Sequence, residues 1–157
     1  MLPTSHLAAT YILWIILVRL FGDGVNSLLL AIVMGVLIDA DAIFLGSMHR
    51  LSILHSLALW LPALLIGFLL DIPYYWTCIF AIVHILLDSL DWGVYVFYPL
   101  STKLWGPRLI AKNSILNPRK NSIVDFTKEY LGHKFFLFLE AFLCTTALII
   151  FLFVGIS

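Results

Sequence analysis

The chain has 157 residues, of which 62% are hydrophobic and 11% charged, with nine basic and nine acidic side chains and a formal net charge of +0. Soluble domains carry about 25% charged residues, so this composition, with a mean hydropathy of +1.06, reads as an integral membrane protein. No basic stripe is long enough to follow a phosphate backbone, which argues against a nucleic-acid partner.

A membrane-crossing helix needs about 20 mostly apolar residues. Taken in order, the stretches 7–21, 25–45, 53–70, 74–98 and 135–155 meet or approach that length. The first has no basic n-region and no small-residue cleavage site, and further spans follow it, so it reads as a retained helix and not a signal peptide. Gly22, Asp23 and Gly24 make the first turn, and Asp71, Ile72 and Pro73 the third. Cys78 and Cys144 fall inside apolar stretches without CxxC spacing and read as small packing residues. The expected fold is all-α, an integral membrane bundle of about five transmembrane helices. It forms one domain over residues 1–157, with a metal-site core at 1–99, a basic connection at 100–134 and a last helix at 135–155.

The basic connection carries Lys103, Arg108, Lys112, Arg119, Lys120, Lys128 and Lys134 against Asp125 and Glu129. By the positive-inside rule it faces the cytoplasm, as do the N-terminus and the connection holding His49 and Arg50. Tyr74, Tyr75 and Trp76 then anchor the outer interface, and Trp92, Tyr95, Tyr98 and Trp105 the inner one. Arg108, Arg119 and their neighbours make a surface attractive to anionic head groups, with Pro107 and Pro118 breaking any short interfacial helix. The expected location is the cell membrane.

Within this frame the ionisable residues of the apolar stretches need a reason, because a charged group at the centre of a membrane helix costs roughly 2.5–3.5 kcal/mol. On the expected topology His6, Asp39, Asp41, His49, His55, His84 and Asp88 all fall near the cytoplasmic end of their helices. Such convergence points to one buried polar site, where pairing or cation binding removes most of the penalty. His84 and Asp88 are four apart and share a helix face, as HxxxD pairs do when both bind one ion or when the carboxylate orients the imidazole. Asp91 continues that face, either behind the ligands or in interfacial solvent. Asp39 and Asp41, two apart, point to nearly opposite sides of a continuous helix, so either the helix ends at about residues 38–42 or only one of them is a ligand.

The expected metal ligands are His6, Asp39, His55, His84 and Asp88, with Asp41 and His49 next. Imidazole and carboxylate donors without a thiolate suit a divalent metal, zinc first, with manganese, iron or nickel compatible, and there are enough carboxylates for one or two ions. Such a site supports metal-assisted hydrolysis. Asp41 is a further catalytic candidate, while Arg50 and Ser56 could hold an anionic oxygen of the substrate. Blander roles stay open for each residue: an interfacial His6, a phosphate-binding His49 and Arg50, Asp39 and Asp41 as caps, and His55, His84 and Asp88 as polar contacts between helices. His133 reads as an interfacial residue, and Glu140 as one that snorkels or pairs with Lys134.

Ser5 and His6 at the start, Asp39, Ala40 and Asp41 after the second apolar stretch, His49 and Arg50 followed by His55 and Ser56, and His84 and Asp88 before Trp92 and Gly93 together form an ordered set. This set resembles the YdjM family of membrane-bound metal-dependent hydrolases over about the first two thirds of the chain. The resemblance implies a multi-helix bundle with a His and Asp metal site, and a hydrolase activity that is itself assigned to the family largely by prediction. The expected function is hydrolysis of an ester or phosphoester, of a membrane lipid or lipid-like substrate, at the cytoplasmic leaflet. Two other classes fit the same residues: a divalent-ion or proton transporter, and a non-catalytic membrane adaptor with a structural metal.

Overall fold

The computed structural model describes residues 2–21, 28–41, 52–70, 75–107, 109–110 and 123–154. The turns expected at 22–24 and 71–73 lie outside these residues, as do His49, Arg50, Tyr74, Arg108, Lys112, Pro118, Arg119, Lys120 and the side chain of Asp41.

Among the described residues six α-helices follow in order: α1 (Pro3–Phe21), α2 (Leu28–Leu37), α3 (Leu57–Leu69), α4 (Tyr75–Asp91), α5 (Ile123–Gly132) and α6 (Lys134–Val154). The described residues contain no strand, only an isolated bridge between Val94 and Trp105, so the fold is all-α. α1 begins on Pro3, whose missing N–H costs nothing at the first helical position. α2 tightens at its end into a 3₁₀ turn, Ile38–Asp41, which is where the spacing of the two aspartates places a helix end. The fourth apolar stretch is helical only to Asp91. Gly93 then takes φ +82°, and the chain turns back so that Val94 and Trp105 exchange both backbone hydrogen bonds at 2.9 and 2.8 Å. α5 lies inside the basic connection, in the part beyond both of its prolines.

α1 and α6 are long and apolar enough to cross a membrane, whereas α2 with its 3₁₀ extension and α3 are apolar but shorter. The 13 residues of α3 reach only about 20 Å at a rise of about 1.5 Å per residue.

α1 is the hub, packing against α2, α4 and α6, while α3 packs on α4 and α5 on α6. Leu17, Ala31, Met34, Ile38, Trp76 and Phe80 form an apolar core among α1, α2 and α4. A second, smaller core joins Ile110, Tyr130 and Phe136 to Leu87, Leu90 and Trp92. Along α4 the buried stripe changes character, from Trp76, Phe80 and Ala81 in the first half to His84, Asp88 and Asp91 in the second.

Close approach of α1 and α2 depends on Gly35, where a Cβ would meet Thr10 Oγ1 at 2.7 Å and Leu7 Cα at 3.2 Å. This is the small-residue packing common between apolar helices, and it seats α2 against the turn of α1 that carries His6. Gly106 has φ +114° and its Cβ would lie 2.3 Å from the Ser89 carbonyl, so the returning loop can close on α4 only with glycine there. Gly35→Ala is expected to cost about 1–3 kcal/mol through overpacking, read as a lower unfolding midpoint of the purified protein. An unchanged midpoint would mean that the two helices do not meet this closely.

Candidate metal centre

Four elements deliver the polar cluster. His6 comes from the first turns of α1, Asp39 from the 3₁₀ turn after α2, His55 from the 3₁₀ turn before α3, and His84 and Asp88 from the second half of α4. His6, His55 and His84 are fully buried and Asp88 is 1% exposed, while the Asp39 side chain, 16% exposed, is the most accessible of the five.

One ligand atom each from Asp39, His55, His84 and Asp88 falls within 4.8 Å of the others. His55 Nε2 lies 3.2 Å from Asp39 Oδ1 and 3.4 Å from Asp88 Oδ2, and His84 Nε2 lies 3.4 and 3.8 Å from the same two oxygens. Donors at about 2.0–2.1 Å from a tetrahedral zinc ion sit roughly 3.3 Å apart, so these nitrogen–oxygen separations fit four ligands around one cation. His84 adds a second sign of fit, because both its ring nitrogens are buried without a hydrogen-bond partner among the described residues. A buried imidazole in that state calls for a group that takes its lone pair. The donor set, two imidazoles and two carboxylates, suits zinc, with manganese or iron also compatible.

His6 stands beside this group of four. Its Nε2 donates to Asp88 Oδ1 at 3.0 Å, and its ring stacks on His84 at 3.9 Å with the planes 19° apart. The two oxygens of Asp88 are thereby divided, Oδ1 toward His6 and Oδ2 toward His55 and His84. A hydrogen-bonded partner of this kind fixes the orientation of a ligand carboxylate.

Ser56, the expected holder of a substrate oxygen, is committed elsewhere. Its Oγ accepts from the Ala58 amide at 3.2 Å, capping α3, and gives its single proton to the Val96 carbonyl at 2.8 Å. The same carbonyl accepts from the Ala58 N–H at 3.2 Å. The loop after α4 is thus tied to the start of α3 directly behind His55, and the indole N–H of Trp60 holds the turn itself through the Leu54 carbonyl at 2.7 Å. The far side of that loop closes α4, whose Leu90 and Asp91 carbonyls accept from Leu109 and Ile110 at 2.8 and 3.0 Å. Asp91 is buried at this closure, with Oδ1 accepting from the Trp92 N–H at 2.6 Å.

Glu140 departs from its expected role. It does not snorkel but is 7% exposed, and it faces the start of α1 rather than Lys134. Its Oε1 accepts from the Leu2 N–H at 2.8 Å, from Ser5 Oγ at 2.9 Å and from the Tyr130 hydroxyl. Burial, together with the neighbouring Glu140 carboxylate, pushes the Tyr130 phenol above its ordinary range and keeps it a proton donor. The sequence signal was a lone carboxylate in an otherwise apolar helix. Cys78 and Cys144 are free, in keeping with packing roles.

The chain matches no protein-family model, no curated protein and no solved structure.

Ser56→Ala is expected to destabilise the fold by about 0.5–2 kcal/mol through the lost cap, with Ser56→Thr close to wild type. Equal midpoints for all three proteins would remove the capping role.

Proposed function

We propose that this chain is an integral membrane hydrolase in which Asp39, His55, His84 and Asp88 hold a divalent cation, zinc first, and that it acts on an ester or phosphoester of a lipid or lipid-like molecule at the cytoplasmic leaflet. The observation that carries this reading is the convergence of four ligand atoms, from three separate stretches of chain, within 4.8 Å. The ordered motif residues that resemble the YdjM family support the same activity.

The membrane reading rests on α1 and α6 and on the apolar surface around them. Phe135, Phe138, Phe142, Leu148, Phe151 and Phe153 of α6 are all exposed, and an apolar surface of that extent marks a region covered by lipid or by another protein. Five spans then require α2, α3 and α4 to complete their crossings with the residues that flank them. The basic residues of 100–134 support a cytoplasmic position for the site. An apolar cavity of about 530 Å³ between α1, α3 and α4, lined by Leu17, Leu61, Leu64, Phe68, Trp76 and Ile79, lies toward the other end of these helices from the cluster.

When bound, the cation would supply Lewis-acid polarisation of a carbonyl or phosphoryl oxygen. The chain's own contribution is placement of the ligands, while the water that hydrolysis consumes has to reach the cation. Burial of His55, His84 and Asp88 lowers the local dielectric, so each electrostatic contact among them is stronger than in solvent. Asp39, the most accessible side chain of the cluster, marks the side from which a substrate would enter. Asp41, His49 and Arg50 keep their sequence-based roles, with Arg50 assigned to an anionic substrate oxygen. A transporter would need a polar path beyond the cluster, where the described residues place Leu17, Trp76 and Phe80.

Elemental analysis of the purified protein is expected to give one or two divalent ions per chain, lost in both His84→Ala and Asp88→Ala. Metal at about 100 times its dissociation constant should stabilise the wild type by about 2.7 kcal/mol, a gain that a chelator reverses and that Asp88→Ala lacks. Equal metal content in wild type and both variants would overturn the assignment of the ligands. Metal-loaded protein in lipid is further expected to hydrolyse lipid esters or phosphoesters, with at least a hundredfold loss in His84→Ala (roughly 3 kcal/mol at about 1.4 kcal/mol per decade). Flux of metal or protons across proteoliposomes without hydrolysis would replace this reading with the transporter.

A further inference from the structure

The buried carboxylate of Glu140 belongs to no ligand set, yet it is spent on the turn of α1 that delivers His6. In addition to Leu2, Ser5 and Tyr130, the hydroxyl of Thr4 lies 3.4 Å from Oε2. The Ser5 hydroxyl is within reach of both Glu140 and the Leu2 carbonyl, at 2.9 and 2.7 Å. A helix start leaves its first N–H groups without intrahelical acceptors, and a carboxylate there also complements the helix dipole. Glu140 supplies both, from a helix that is otherwise apolar from Phe135 to Val154 except for Thr145 and Thr146.

His6 follows Ser5 directly, so the anchored turn sets where its ring stands. From the other side the ring position is set by Gly35 of α2, whose neighbours include the His6 carbonyl, and by Thr10, whose hydroxyl donates to that carbonyl at 2.9 Å. Between these two supports His6 reaches Asp88 at 3.0 Å and stacks on His84 at 3.9 Å. Freeing the first turn would move the ring off both.

We propose that Glu140, held by Tyr130, is a positioning residue that acts through His6 to fix the orientation of Asp88, and so links α5 and α6 to the site although neither contributes to it. The consequence for metal affinity rests on the metal reading above. The effect on His6 does not.

The test uses the full chain in lipid nanodiscs, with Glu140→Gln, Tyr130→Phe and Ser5→Ala beside wild type. In metal-free protein labelled at histidine, Glu140→Gln and Tyr130→Phe are expected to shift the imidazole resonances of His6, assigned through His6→Ala. Cobalt(II) titration should show binding weakened by Glu140→Gln, at most about 10- to 100-fold, the range seen when the direct partner of a metal ligand, here His6, is removed. If Glu140 acts through His6, that loss largely disappears when Glu140→Gln is placed on His6→Ala, whereas general destabilisation would give the same fold-loss in both backgrounds. Tyr130→Phe, which keeps the packed ring, serves where Glu140→Gln fails to fold. Unmoved His6 resonances in folded Glu140→Gln or Tyr130→Phe protein, or equal fold-losses with and without His6, would overturn the proposal. A wild type that binds no cobalt but shows the His6 shifts would overturn only the metal reading.

Discussion

Two carboxylates and three imidazoles have been taken out of water together, and the rest of the structure is organised around making that tolerable. Asp39 and Asp88 come from different helices, yet one oxygen of each faces the same two imidazole nitrogens of His55 and His84 at 3.2–3.8 Å. Like charges so close in a dry setting are opposed unless positive charge lies between them. A protonated imidazole or a cation can provide it. The pairwise distances are of the size found between donors around one shared ion, and His84 has both ring nitrogens buried with no hydrogen-bond partner among the described residues. A buried charge network of this kind gains little for stability by itself and is better understood as a functional expense.

Because every donor but His84 sits near a helix end or in a 3₁₀ turn, its position depends on what fastens that end. Ser56 caps α3 and binds the loop after α4, so His55 is held by two elements at once. The same loop, returning at Leu109 and Ile110, closes the last carbonyls of α4 behind Asp88 and Asp91. Gly35 brings α2 against α1, setting the distance from Asp39 to His6. These are backbone-level constraints, and they fix ligand geometry more tightly than side-chain packing alone would.

The remaining half of the bundle is apolar and carries the cavity between α1, α3 and α4. Leu17, Phe80 and Trp76 occupy, on α1 and α4, the turns away from the cluster. A polar site at one end and an apolar core at the other fits the proposed hydrolysis at a single leaflet. It is also what a conduction path would have to interrupt.

Much of this was legible in the sequence. The helical class follows from long apolar runs, since a chain that cannot hydrate its backbone must satisfy it within each segment. His55, His84, Asp88 and Asp39 could be picked out because ionisable groups are costly in such runs, and the four-residue spacing of His84 and Asp88 already put them on one face. The end of α2 near Asp39 was readable from the incompatibility of two aspartates on one helix face. Spacing along the chain does not, however, reveal which side chain fills which place around a shared centre. Only the packing of α1 on α4 put His6 on Asp88 and against the ring of His84, and only the return of the loop at Val96 claimed the Ser56 proton for a cap. Glu140 and Ser5 lie 135 positions apart, a pairing that no local pattern encodes. Local chemistry and hydropathy thus determined which residues had to find partners, while the tertiary structure decided which partners they found, because helix ends distant in sequence become neighbours only when the helices pack.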